Sequence, residues 1–390
     1  MSLARDLSVS AVTAGFVTVL VGFASSAVIV FQAAGAVGAT AAQVGSWMLA
    51  LGLGMGLTCL LLSLRYRAPV VTAWSTPGAA LLVTGAAGLT IEEATGAFLV
   101  SAALITIAGF SGWFERAMDR IPVAIASGML AGVLLRFGLD VFLAMRTRFA
   151  LAGGMFAVYL VARRLVPRYA VIAALAVGVA VAAGQGLLRM DEARLALAAP
   201  VWVTPRFTLG ALIGAALPLF IVTMASQNVP GVAVIRASGY AVPISPIIGW
   251  TGLANLALAP FGGFALNLAA ITAAICMGRE AHEDPRRRYV AAMAAGAFYM
   301  IVGLFGATVV GLFAAFPREL VAAIAGLALF ATIGNGLAAA LRDENQREPA
   351  LVTFLVTASG MTLSGVGSAF WGLVAGVVTL LILRAGSRRG

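Results

Sequence analysis

Apolar runs of about 20 residues follow one another along this chain with barely a charge inside them, and that pattern leaves few folds open. A helix of that length spans the roughly 30 Å of bilayer hydrocarbon. In lipid each backbone N–H and C=O must be paired within a helix or a closed barrel, and continuous rather than alternating hydrophobicity excludes the barrel. Composition agrees: 62% hydrophobic and 10% charged residues, with a mean hydropathy of +1.03, leave too little polar surface to coat a soluble globule of 390 residues. The expectation is an all-α polytopic membrane protein.

Breaks at Gly/Pro clusters and Arg runs divide the chain into spans near 8–34, 42–64, 70–89, 94–113, 122–144, 149–164 and 169–188. A polar connection over 189–206 follows, then spans near 208–235, 241–259, 260–278, 289–314, 319–341, 350–366 and 369–384. The reading is fourteen transmembrane segments in two sets of seven. The net charge of +10 would point to nucleic acid in a soluble protein, but all 25 basic residues are Arg, clustered between apolar runs. With a cytoplasmic N-terminus, 18 of the 25 fall on the inside, among them Arg65, Arg67, Arg163, Arg164, Arg168, Arg279 and Arg342. The positive-inside rule therefore predicts a bacterial-type inner membrane protein with both termini cytoplasmic and no nucleic-acid partner. The run from Ser8 outlasts a signal-peptide core and reads as the first span.

Seven spans per half reverse the orientation of the second half, the mark of inverted repeats. Ser127–Leu139 aligns with Ala325–Leu337, and Gly96, Ala97 and Phe98 with Gly296, Ala297 and Phe298, although small-residue coincidences are common in Ala/Gly-rich helices. Two spans look broken. In Val70–Leu82, a β-branched and aromatic stretch leads to Ser75-Thr76-Pro77, a cap followed by proline at a helix start. The corresponding stretch of span 10, Pro260–Asn267, precedes a helical run from Leu268 to Gly278. Strand plus half-helix in spans 3 and 10 would place two opposed helix N-termini near the midplane, a preformed anion site. Ordinary kinks at Pro77 and Gly262-Gly263 are the alternative.

Gln227 and Asn228 are adjacent amides deep in span 8, just before Pro230, and can donate to a carboxylate or join helices. Gln32 and Asn335 invite the same reading more weakly. Asp140 is the one acid clearly within a span, one turn after Arg136; the two form an intrahelical ion pair, or Asp140 carries a proton and Arg136 partners an anion. His282 sits in an Arg-rich loop without an assigned role. Cys59 and Cys276 lie in apolar runs without metal-ligand spacing. No metal, nucleotide or other cofactor is expected; a chain without Lys has no P-loop. A membrane enzyme would need a nucleophile with a base or a metal cluster within the spans, which the sequence lacks.

The AWSTPGAALL run at 73–82, the ASQNVPG run at 225–231 and the seven-span halves resemble the BenE-type benzoate/proton symporters, over essentially the whole chain. That family is similar in fold to uracil-permease, nucleobase-ascorbate and sulfate-permease carriers. The resemblance implies elevator-like alternating access, with a core of residues 1–118 and 205–316 moving against a gate of 119–200 and 317–390. It implies that Ser75, Thr76 and Gly78 donate to the substrate carboxylate, that Gly263, Phe264 and Asn267 contribute from span 10, and that Gln227 and Asn228 close the side. It also allows a homodimer through the gate. Gln227 and Asn267 stand where nucleobase carriers place carboxylates, which disfavours base recognition. The expected function is proton-coupled uptake of benzoate or a related aromatic carboxylate; the alternatives are another small anion or nucleobase on the same fold, or a passive anion channel.

Overall fold

The computed structural model describes residues 6–85, 88–112, 122–189, 195–279, 281–361, 363 and 368–387. Arg5, Arg116, Arg120, Arg194, Arg388 and Arg389 of the charge pattern lie outside the described residues, as does the expected core–gate boundary at 118/119. Helix starts follow from local chemistry. The first helix, α1 (Val9–Ala36), is capped by Ser8, whose hydroxyl accepts from Ala11 N at 3.1 Å. Reciprocal capping boxes start α2 (Ala41–Tyr66) at Thr40–Gln43 and α4 (Ile91–Phe110) at Thr90–Glu93. Between α2 and α4 the chain breaks into a strand, β1 (Thr72–Trp74), and a half-helix, α3 (Thr76–Gly85).

Next come α5 (Val123–Thr147), α6 (Phe149–Leu165) and α7 (Ala170–Gly184), then the long span α8 (Leu209–Arg236). Within α8 the winding widens to π geometry at Leu212–Ala216 and Met224–Asn228. Each wide turn contains the carbonyl four residues before a proline, Pro218 or Pro230, where a regular α-turn would clash and lack a donor. Past α9 (Ile244–Leu258) and a tight 3₁₀ turn at Ala259–Phe261 come β2 (Leu266–Leu268) and a second half-helix, α10 (Ile271–Met277). The chain ends with α11 (Tyr289–Leu304), α12 (Gly306–Ala314), α13 (Arg318–Ala340), α14 (Glu344–Ala358) and α15 (Ser368–Ser387).

Among the described residues six helices are long and apolar enough to cross a membrane: α2, α4, α5, α8, α13 and Ile244–Phe261, which is α9 with its 3₁₀ extension. Two bent pairs, Val9–Phe23 with Ser26–Ala36 and Pro285–Leu304 with Gly306–Leu312, raise the number to eight. Helices α6, α7 and α14 are shorter than a full span, and α15 is an apolar helix over Ser368–Arg384. The strand expected from Val70 is only three residues long. In span 10 the helix begins at Ile271 rather than Leu268, because Leu266–Leu268 are drawn into extended pairing with β1.

Close packing joins α5 to α13 and α14, α6 to α7 and α14 to α15; separately it joins α2 and α1 to α11, and α4 to α9. Small residues permit the closest approach. A Cβ on Gly52 would lie 2.6 Å from Gly303 Cα, so α2 and α11 meet backbone to backbone. At the turn ahead of β2, Gly262 has φ +94° and its absent side chain would sit 1.7 Å from the Trp47 ring, so only glycine fits.

Candidate functional site

The two strands pair antiparallel, Thr72 with Leu268, Ala73 with Asn267 and Trp74 with Leu266. Hydrogen bonds continue the ladder at both ends, from Ser75 N to Ala265 O and from Ala269 N to Val71 O, each 2.9 Å. Because the strands are antiparallel and each is followed at once by its half-helix, α3 and α10 leave opposite ends of a three-residue ladder and run apart. Their positive N-terminal ends therefore flank one small region.

Strand edges inside a membrane protein must find partners, and neighbouring side chains supply them. On the β1 side, α2 provides Ser63, whose hydroxyl accepts from Val70 N at 3.0 Å, and Cys59, whose Sγ accepts from Thr72 N at 3.1 Å. On the β2 side, Asn228 Oδ1 accepts from Leu268 N at 2.9 Å. Behind the ladder, Trp47, Phe98 and Phe264 form an aromatic cluster with centroids 5.4 to 5.8 Å apart. Ala265, in the turn between that cluster and β2, holds a left-handed φ of +37°, a strained backbone for alanine.

Between this motif and the α5–α6–α7–α13 group lies a cavity of about 980 Å³. Thr76 and Pro77 line it at the start of α3, Ala269 and Ala270 at the start of α10, and Ala225, Ser226 and Gln227 at the second wide turn of α8. Trp74, Ser26 and Tyr299 complete the near wall; Trp74 Nε1 donates to Ser26 Oγ at 2.8 Å, and its ring meets Phe23 edge-on at 4.8 Å. The far wall includes Val123, Ser127, Leu130, Tyr159, Leu327 and Asn335. Much of the lining is apolar, and no carboxylate contributes to it among the described residues.

The structure sorts the residues singled out from sequence into three groups. Thr76, Gln227 and Asn335 line the cavity. Ser75, Gly78, Asn228, Gly263, Phe264 and Asn267 are buried around the ladder and do not. The Ser75 hydroxyl accepts from Gly78 N at 3.0 Å, so cap and donor satisfy each other rather than a ligand. Asn228 is committed to Leu268, and its amide nitrogen also reaches Met224 Sδ at 3.2 Å. Asn267 Nδ2 donates to Ala265 O at 3.2 Å, while its Oδ1 has no hydrogen-bond partner among the described residues. Phe264 is enclosed by Trp47 and Phe98.

Gln32, Arg136 and Asp140 lie apart from the cavity lining. Arg136 is exposed and Asp140 half-buried, and no salt bridge within 4 Å joins them among the described residues. Sequence reasoning missed Ser26, Trp74, Ser226 and Tyr299. Ser226 adjoins the amide pair and Trp74 the Ser-Thr-Pro turn, but nothing in the α1 sequence singles out Ser26. His282 Nδ1 accepts from Asp284 N at 3.0 Å within the loop, and the Arg286 N–H holds the Asp284 carboxyl below the usual carboxylate range.

The two half-helix starts differ in the donors they leave free. Pro77 has no N–H and Ser75 occupies that of Gly78, so α3 offers mainly Thr76. No side chain caps α10 (Ile271–Met277), and Ala269, Ala270 and Thr272 at its start line the cavity.

Together these features define a polytopic helical membrane fold with two paired broken spans and a cavity beside them. Solved structures of that class match it: the chain SLC26A9, with a TM-score of 0.60 at 13% identity over 95% of this chain and 65% of that one. The transmembrane domain of the cyanobacterial bicarbonate transporter BicA matches with a TM-score of 0.56 at 12% identity, over 95% of this chain and 97% of that one. The BenE model, described as benzoate membrane transport protein, covers residues 5–382, and the chain belongs to that family of membrane transport proteins, not to an enzyme family. It is 52% identical to the inner membrane protein YdcO of Escherichia coli (strain K12), covering 95% of each chain. It is 41% identical to the benzoate membrane transport protein of Acinetobacter baylyi (strain ATCC 33305 / BD413 / ADP1), over 98% of this chain and 97% of the relative.

Proposed function

We propose that this chain is a secondary active transporter that takes up benzoate or a closely related aromatic carboxylate together with a proton. The cavity carries the proposal: its lining combines Thr76, Ser226 and Gln227, which can donate to a carboxylate, with Trp74, Tyr299 and aliphatic side chains that can pack on a ring. The name of the Acinetobacter relative agrees with that substrate. A cavity without acidic lining disfavours cationic or base-reading ligands. Proton coupling fits the energetics, since one proton cancels the roughly 2.3 kcal/mol per 100 mV that opposes entry of an anion into a negative interior.

The mechanism proposed is elevator-like, with the core of 1–118 and 205–316 carrying the site past the gate of 119–200 and 317–390. The closest helix pairs supporting this lie within one group or the other, and the cavity follows the seam between them. Counting the shorter helices and the two broken units as spans gives fourteen, in two inverted sets of seven. The antiparallel pairing of the broken units is the local sign of that inversion. With the termini cytoplasmic, the cavity wall at Val123, Arg163, Pro167 and Ala339 lies at the inner side, an inward-open state. Asp140, a half-buried acid outside the cavity, is the proposed proton carrier, and a gate-mediated homodimer belongs to the same reading.

Competition binding tests the substrate. Labelled benzoate bound by purified protein should be displaced by unlabelled benzoate but not by uracil or sulfate, and Thr76→Ala and Gln227→Ala should weaken it. Preferential displacement by either competitor would remove benzoate from the proposal.

A further inference from the structure

Among the described residues lining the cavity, Arg163 alone is charged. It lies in the last turn of α6, where a cation is favoured by the helix dipole and by the positive-inside rule, and its neighbour Arg164 shares that setting. Only Arg163 reaches the cavity. It stands four residues after Tyr159, another lining residue, so both present the same helix face. Arg163 is exposed, and no carboxylate pairs with it among the described residues. Its guanidinium thus stands unneutralised at a cavity whose other lining groups are neutral.

We infer that Arg163 is an anion-attracting residue of the cavity mouth, raising the local concentration of the substrate carboxylate on the face to which this cavity opens. This rests on the anionic-substrate reading above. An unpaired charge beside a low-dielectric wall focuses its field into the cleft, where a carboxylate at about 10 Å feels a several-fold enrichment at low ionic strength. Arg163 belongs to α6, on the opposite wall from Thr76 and Gln227, so its influence is felt only while the site faces it. Affinity is raised on one face of the membrane and unchanged on the other. A purely structural role would have no such sidedness.

The test measures the concentration dependence of labelled benzoate transport from each face, in right-side-out and inside-out membrane vesicles. Arg163→Gln should raise the half-saturating concentration about two- to fivefold on the Arg163 face and leave the other face unchanged. Arg163→Lys, which keeps the charge, should behave like wild type, and the Gln effect should vanish at about 1 M salt, where screening shortens to about 3 Å. Equal effects of Arg163→Gln on both faces, no effect on either, or a Lys variant as impaired as Gln would overturn the inference alone. Failure of the wild type to carry benzoate from either face would overturn the substrate reading and this inference with it.

Discussion

Asn228 and Gln227 are neighbours in sequence but stand in different places, and separating them experimentally tests how the site is built. Asn228 is buried and its Oδ1 is the acceptor for Leu268 N at 2.9 Å, the outward edge of β2. Replacement by Leu keeps the volume roughly constant but leaves that N–H buried without a partner. An unsatisfied buried donor costs about 1–3 kcal/mol, a factor of about 5 to 150 in the folding equilibrium. Gln227 lines the cavity, and its truncation to Ala removes only a group that would meet substrate. Asn228→Leu should therefore lower the thermal or denaturant midpoint of the purified protein. Gln227→Ala should leave that midpoint within error and weaken benzoate binding about 10- to 150-fold, the loss of one hydrogen bond to a charged group at about 1.5–3 kcal/mol. Isothermal binding paired with a melting curve reads both effects. An Asn228→Leu protein as stable as wild type but unable to bind would refute the assignment of Asn228 to the strand edge and return it to the substrate.

Three further outcomes follow from the same geometry. Gly262→Ala should destabilise the protein by more than about 2 kcal/mol, since it combines a positive φ with a Cβ driven into Trp47; a melt against wild type checks it. Trp74→Phe removes the donor to Ser26 Oγ while keeping an aromatic cavity wall, and should weaken benzoate binding by about threefold or less in the same assay. Asp140→Asn should preserve benzoate exchange across vesicles while abolishing accumulation against a gradient; unchanged accumulation would remove Asp140 as the proton carrier.

Much of the fold was legible because the bilayer imposes simple rules on sequence. Span starts read near 8, 42 and 94 from Gly/Pro clusters and Arg runs fall within three residues of the helix starts at Val9, Ala41 and Ile91, and the break in span 3 was read from Trp74 through Pro77. The limits of β2 were less legible: Leu266–Leu268 have no strong strand signal, and their conformation comes from pairing with β1, a contact across nearly 200 residues. The cavity lining was legible in part, at Thr76, Gln227 and Asn335. Polar residues near a break stand out in an apolar sequence, but sequence does not say which way each points. Asn228 and Gln227 differ by one position on a turn widened to π geometry ahead of Pro230, and that turn sends one to β2 and the other to the cavity. Phe264, expected to contribute from span 10, packs against Trp47 and Phe98 and does not line the cavity. Tyr299 was invisible because it comes from α11, whose face is set by packing on α2 and α1.

The central claim is that the chain couples entry of an aromatic carboxylate to the proton gradient. It is tested most directly by uptake of labelled benzoate into proteoliposomes under an imposed inward proton gradient, with and without a protonophore. Accumulation above the equilibrium level that the protonophore abolishes, and that Gln227→Ala and Thr76→Ala reduce, is the predicted result. Protein-dependent uptake that only equilibrates, with or without the gradient, would contradict it and describe a passive pathway instead.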